Sequence, residues 1–408
     1  MSPARRAAPA SSRRDEYPAV ATRPRGVPVE PGVETRMKLE RLREWMARHK
    51  LPAVVFHTRA NVAWLTAGGD AHVVAQSEYA AAALVVDRDH VHVVADVIEI
   101  DRLQHEEPLR GFRRRAFPWT RPLREELERL LGARREAWAS DAPHRTGGAA
   151  LPPDFVDACR AELLPSEVDR YEALGHDCTQ AVETVARTAE PGDTERDLAA
   201  RLAAECLVRG VQPQVVLVGA DQRIRNFRHP IPTDRTLRRH LMLIACGERH
   251  GLVASLTRTV YLGAVPKELA ALHAATCRVE AALWGATRPG VAWGDALAAG
   301  QRQYAKEGDR DEWTLHHQGG PTGYAARDLV VVPGERRVVH AQQAVAWNPS
   351  ITGAKSEDTW IVPAVAAARA NAAPSPLVVT AATREWPRLV VRLPGAAPLE
   401  RPDILRRE

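Results

Sequence analysis

Four side chains in this sequence are suited to proton transfer or ligand capture: His229, His316, His317 and Glu357. His229 lies in Arg228-His229-Pro230-Ile231-Pro232. A residue before proline avoids the α region, so this histidine projects from an extended segment. An imidazole titrates near neutrality and can act there as acid or base. The structural alternative is a histidine that caps a strand end. His316 and His317 run into Gln318-Gly319-Gly320, where the backbone can approach a ligand closely. His316 reads as packing or support for His317. Glu357 and Asn348 flank residues 349–356, whose two arms read as a hairpin that brings both side chains to paired strand ends. Glu357 can hold a cationic group or orient His317, and Lys355 can instead satisfy it as a structural ion pair. Asn348 offers a donor and an acceptor, although Asn-Pro is also a plain turn signal. Tyr324, in Pro321-Thr322-Gly323-Tyr324, is a phenol able to donate to a developing oxyanion or simply to pack in a core.

The segment 241–263 ties these residues to a fold. It reads as a strand, a short polar turn and a second strand ending in Ser255-Leu256-Thr257-Arg258-Thr259. With the extended His229 segment, the His317 turn, Asn348-Pro349 and Ser356-Glu357-Asp358-Thr359, it resembles the pita-bread hydrolases: creatinase, aminopeptidase P, prolidase and methionine aminopeptidase. The resemblance covers residues 166–363 and, more weakly, 37–165. It implies five metal-ligand positions, filled here by Ala245, Ser255, His317, Asn348 and Glu357. Only His317 and Glu357 keep a ligand type. Two side chains are a poor cage, because catalytic zinc sites use three protein ligands and hard ions want several oxygens. The lost carboxylates and the lost ions cancel in charge, so the depleted site needs no counterion. The expectation is therefore no metal and no cofactor.

The resemblance also implies roles. His229 matches a histidine that contacts substrate near the metals, and in metal-free creatinase the match transfers protons. Tyr324 falls where aminopeptidase relatives carry another catalytic histidine. His229, His317, Glu357 and Tyr324 are thus the catalytic candidates, and Asn348, Ser255, His316, Arg258 and Arg59 the substrate-binding ones. Arg258 can equally be a strand clamp. Arg59, Asn61 and Trp64 sit where a loop enters a strand and could face a neighbour's site, as in creatinase-like dimers, or be ordinary surface and packing residues.

The chain has 408 residues, enough for two or three domains. Its 45% hydrophobic and 26% charged residues are ordinary globular values. No run of about eighteen apolar residues exists, so no membrane span is expected. Arg5-Arg6 and Arg13-Arg14 are followed by no apolar core, which argues against a signal peptide. Five scattered cysteines, 159, 178, 206, 246 and 277, suggest reduced thiols and a cytoplasmic protein. Cys246 reads as a small buried residue rather than a nucleophile. The arginine excess includes the first 36 residues and is not taken for a nucleic-acid surface.

Residues 1–36 read as a flexible Arg/Pro-rich extension. Residues 37–165 read as a creatinase-like α/β domain with a helix at 37–49 and strands at 53–57, 81–87 and 90–95. Residues 166–408 read as the pita-bread domain. Ser166 opens a long helix and Thr194 a second, which Gly210 ends. Sliding the chain by 98 residues (289 − 191) puts Pro191-Gly192 on Pro289-Gly290, Asp197 on Asp295 and Gly210 on Gly308. Two helix–helix–strand units predict a pseudo-twofold core with a ligand site between them.

The expected class is α/β with a pseudo-twofold second domain. The expected protein is a homodimeric, metal-independent enzyme acting on a small amino-acid-like or peptide-like molecule, with no nucleic-acid or membrane partner. The alternatives are a metal-dependent Xaa-Pro-type aminopeptidase or dipeptidase, and a non-catalytic binding protein. Several titratable groups in one pocket favour the enzyme.

Overall fold

The computed structural model describes residues 31–109, 111–132, 138–364 and 376–408. Residues 1–30 of the expected extension lie outside the described residues. The remainder of that extension is structured: helix α1 runs Pro31–Arg48, and Glu34 within it is buried. Leu42, Trp45 and Met46 form the buried stripe of α1, at helical spacing.

Next come β1 (Ala53–Thr58), α2 (Arg59–Leu65), β2 (Tyr79–Asp87), β3 (Val91–Asp96), α3 (Ile100–Glu106), β4 (Arg113–Phe117), α4 (Leu123–Leu131), β5 (Ala139–Ser140), α5 (Pro143–Thr146) and β6 (Ala149–Ala150). The strands form one sheet in the order β4-β3-β2-β1-β5-β6. Arg59, Asn61 and Trp64 lie on helix α2, not at the mouth of a strand. Thr58 caps that helix, accepting from the Asn61 amide at 3.4 Å.

The second part opens with α6 (Pro165–Thr188), whose N-terminal cap is at Leu164, two residues before Ser166; Glu167 closes the capping box. Then follow α7 (Glu195–Val208), β7 (Gln212–Ala220), α8 (Gln222–Asn226), β8 (His240–Arg249), β9 (Leu252–Leu262), α9 (Lys267–Ala286) and α10 (Trp293–Glu307). The last strands are β10 (Gly319–Thr322), β11 (Ala344–Trp347), β12 (Ser350–Ile351), β13 (Ala354–Lys355), β14 (Asp358–Ile361), β15 (Leu377–Val378), β16 (Arg388–Val391), β17 (Leu399–Pro402) and β18 (Leu405–Arg407). The duplication is visible: α6–α7 and α9–α10 are helix pairs around Pro-Gly turns. The same 98-residue step carries Thr194, bridged to Thr236, onto Ala292, bridged to Val338.

Two four-stranded sheets carry the site, β18-β9-β8-β7 and β10-β11-β14-β15. They are stitched by the Thr257 amide donating to the Glu357 carbonyl at 3.0 Å and the Ser255 amide to Thr359 Oγ1 at 2.8 Å. Among the described residues no helix is long and apolar enough to cross a membrane.

Candidate active site

Strand register brings Gln318, Asn348 and Glu357 to one level, with His317 one residue beyond Gln318. In the second sheet Gly319 pairs with Trp347, and Trp347 with Asp358. Three neighbouring strands therefore end at one level, and the residues just beyond them are Gln318, Asn348 and Glu357. The Asn348 amide donates to the Gln318 carbonyl at 3.0 Å, locking that level. Gly319 has φ +91°, and a Cβ there would lie 2.1 Å from the Ala346 carbonyl oxygen, so only glycine fits. The β12–β13 hairpin returns the chain between Asn348 and Glu357 as the sequence implied.

The β8–β9 hairpin shifts one expected position. Cys246 stands opposite Ser255, and Ala245 stands opposite Leu256. Opposed residues share a face and successive residues alternate faces. Ala245 thus faces the hydrophobic core with Leu243 and Leu256, while Cys246 and Ser255 face the site. Ser255 Oγ donates to Cys246 Sγ at 3.2 Å. Burial, with Glu357 nearby, raises the Cys246 thiol, which stays protonated.

At the centre is Glu357, 2% exposed. Its Oε1 accepts from Arg327 Nη2 at 2.9 Å, and its Oε2 receives Lys355 Nζ at 2.8 Å and Thr257 Oγ1 at 2.9 Å. Burial alone would raise this carboxyl, but Lys355 and Arg327 outweigh it and hold it at about 2. Arg327 Nη1 also reaches Ser255 Oγ at 3.3 Å. Sequence reasoning anticipated Lys355 and missed Arg327, which no motif marks.

The three histidines lie beside this centre. His229 Nε2 and His316 Nε2 are 3.0 Å apart, so one ring donates and the other accepts. His316 stacks on His317 at 4.5 Å between ring centroids, and His229 lies 6.2 Å from His317. His316 is buried, whereas His229 and His317 are exposed. Burial lowers all three pKa values, and Lys355 lowers each further: His316 to about 2, and His317, which Arg327 also depresses, to about 4. His229 falls below 6.5 for the same two causes, burial and Lys355, with Glu357 opposing. The imidazoles are neutral at physiological pH. Arg228 fixes the His229 segment by donating to Thr352 Oγ1 at 2.8 Å, to Ser350 Oγ and to Glu312. Gln318 steadies the histidine pair, donating to the His316 carbonyl at 2.6 Å while accepting from Tyr304.

Tyr324, Arg258 and Arg59 are held elsewhere. Tyr324 is buried and donates to Glu167 Oε1 at 2.5 Å, with Lys38 Nζ 3.2 Å from its hydroxyl. It belongs to an ion network of Glu34, Lys38, Glu167 and Arg170 that fastens α1 to α6, and its phenol is not free for catalysis. Arg258 is a clamp, bound to Asp358 Oδ1 at 3.0 Å and the Thr380 carbonyl at 2.7 Å. Arg59 pairs with Glu248 at 2.6 Å, at the hairpin's turn end. Asn348 is buried, and its Oδ1 has no partner among the described residues.

These donors do not fit a two-metal carboxylate cage. Ala245 faces away, Ser255 and Asn348 are neutral, and internal cations engage both oxygens of Glu357. The three histidines place ligand-capable nitrogens within 4.8 Å of one another, a spacing that suits a softer ion. Lys355 and Arg327 set a positive field across that cluster.

The profile of metallopeptidase family M24 matches residues 170–364, and that of the creatinase/prolidase N-terminal domain matches residues 38–169. A probable dipeptidase PepE of Mycobacterium tuberculosis is 27% identical over 242 residues, 56% of this chain and 63% of that protein's length. The crystal structure of dipeptidase PepE from Mycobacterium ulcerans superposes with a TM-score of 0.67 at 20% identity, covering 86% of this chain and 97% of that one. The Xaa-Pro dipeptidase from Bacillus anthracis does so at 0.68 and 14% identity, covering 86% and 99%. A creatinase-type N-terminal domain followed by an M24 domain places the chain in the pita-bread family of creatinases, prolidases and related peptidases.

Proposed function

We propose that the chain is a hydrolase that cleaves a C–N bond in a small amino-acid-like or peptide-like substrate by acid–base chemistry, without the family's metal pair. One observation carries this reading: neutral His229 and His316 share a hydrogen bond beside His317, while Lys355 and Arg327 occupy the carboxylate that a metal would need. Neutral imidazole is the form that accepts a proton. His229, exposed and paired with His316, takes the proton of a water. The water oxygen bonds to the substrate carbon, and the π pair moves onto the heteroatom of the C=O or C=N group. When that pair returns, the C–N bond breaks and the imidazolium protonates the leaving nitrogen. The sum is addition of one water.

Exposed Phe227, Ile231 and Leu315 flank the histidines in sequence, and they and the dipeptidase relatives support a small substrate with an apolar part. A cytoplasmic homodimer belongs to the same reading.

The test is amine release from a panel of dipeptides, Xaa-Pro dipeptides and amidino amino acids, in chelator and again with Mn²⁺, Co²⁺ or Zn²⁺. Turnover in chelator is expected. Turnover only with added metal would establish the metal-dependent peptidase instead. The filling of the centre by Arg327 and Lys355 favours one second reading, a non-catalytic binding protein; ligand binding with no turnover on any substrate would select it.

A further inference from the structure

We propose that Lys355 is a catalytic residue of this site: its buried ammonium takes up the negative charge that develops on the substrate's carbonyl or amidine during attack. The proposal rests on the acid–base reading of the histidines and names the electrophile that reading lacks.

Charge counting leads to it. Lys355 and Arg327 are two cations against one carboxylate, Glu357, with side-chain exposures of 5%, 12% and 2%. The neighbouring acids are committed elsewhere: Asp358 to Arg258 and Arg401, Glu280 to Arg401, and Asp328 to Arg160. The centre therefore carries one surplus positive charge out of water, an arrangement that is costly unless an anion completes it. A substrate that becomes anionic only during reaction completes it at the transition state, where stabilisation accelerates chemistry.

Donor counting leaves free protons on both cations: the Arg327 Nη atoms hold Glu357, Ser255 and the Ala326 carbonyl, but its Nε is buried with no partner among the described residues. An ammonium has three protons, and Glu357 is the partner of Lys355 among the described residues. Glu357 holds Nζ in place without neutralising the pair of cations. Nearness to the histidines selects Lys355, which bears on all three, whereas Arg327 is a leading influence on His317. Lys355 thus lies close to where His229 would deliver water.

The probe is a dipeptide phosphinate, in which a tetrahedral P(O)O⁻ group and a methylene replace the scissile amide, compared with its parent dipeptide by calorimetry. Wild type should prefer the phosphinate. Lys355→Met should weaken phosphinate binding by about 10²–10³-fold, the usual loss for one oxyanion donor, while the neutral parent changes little. Lys355→Arg should restore part of the preference. Where Lys355→Met melts early, Lys355→Met/Glu357→Gln removes both charges together and should show the same lost preference. A wild type that binds neither compound, or does not prefer the phosphinate, overturns the proposal. So does a Lys355→Met that weakens both ligands equally, since that is the signature of a structural role. None of these readouts needs turnover, so failure of the histidine assignment is detected separately, by His229→Ala.

Discussion

Replacing Glu357 by glutamine removes one charge and little volume from the centre of the site. Its carboxyl is held at about 2 in the fold against an ordinary 4.5. A tenfold change in proton affinity is worth about 1.4 kcal/mol, so the depression corresponds to about 3 kcal/mol of stability at neutral pH. The side chain is 2% exposed, so solvent screening removes little of this. Breaking a buried ion pair from one side costs about 3–5 kcal/mol, which agrees. Glu357→Gln should therefore lower the melting temperature by roughly 6–12 °C, taking about 2–4 °C per kcal/mol for domains of this size.

The pH dependence gives the sharper check. A depressed carboxyl contributes fully above its ordinary pKa and loses that contribution as pH falls through its folded value. The stability gap between wild type and Glu357→Gln should be constant above pH 5 and close progressively between 4.5 and about 2. Urea titrations at a series of pH values measure it. A variant as stable as wild type at pH 7, or a gap that widens on acidification, would refute the view that Glu357 is the anion binding Lys355 and Arg327.

Other consequences are directly measurable. His229→Ala should cut turnover by about 10²–10⁴-fold at an unchanged melting temperature, because the side chain is exposed. Wild-type rate should rise with pH on a limb below 6.5, since His229 must be neutral to act and its pKa is lowered; a limb above 7 would remove it as the base. Elemental analysis after dialysis should find no stoichiometric transition metal. One ion per chain that disappears in His316→Ala would instead make the three histidines a metal site. Light scattering should give a dimer at micromolar concentration.

How far the site was legible follows from the range of the interactions that build it. The non-helical His229 segment, the glycine turn after His317 and the hairpin before Glu357 are local, and each was readable from proline, glycine and alternation. The Cys246–Ser255 pairing was not. Counting from Gly247 of the motif selects Ala245, but register is set by how the hairpin closes, and a one-residue difference moves a side chain to the other face. Arg327 was invisible because its partner is thirty residues away and no local pattern marks a buried guanidinium. Tyr324 fits its motif, but Lys38, far away in sequence, draws its hydroxyl into the α1–α6 network. The same network explains why α1 includes residues ahead of Met37: Glu34, assigned by composition to a flexible extension, is needed inside to meet Lys38 and Arg170. Helix α2 likewise depends on Asp141, which receives Thr58 and Asn61 from across the sheet.

On the proposed metal-free reading, the neutral side chains at the ligand positions and the internal cations act together, and the site should resist simple reversion. Ser255→Asp would restore a carboxylate at the position the resemblance assigns to a ligand. Yet Ser255 Oγ already lies 3.3 Å from Arg327 Nη1. The new aspartate would pair with that guanidinium and cancel the surplus charge, leaving no anionic oxygen for an ion. Mn²⁺ should therefore not raise the melting temperature of Ser255→Asp. It should do so only when Arg327→Ala and Lys355→Met are added, freeing both the new aspartate and Glu357 alongside His317. Binding to a native-state site raises stability with ligand concentration, by about 2.7 kcal/mol at a hundredfold excess over Kd. A clear melting shift is thus expected in the triple variant at millimolar Mn²⁺. If Ser255→Asp alone binds Mn²⁺ stoichiometrically, Arg327 and Lys355 are not what keeps a metal out, and the charge argument for both fails.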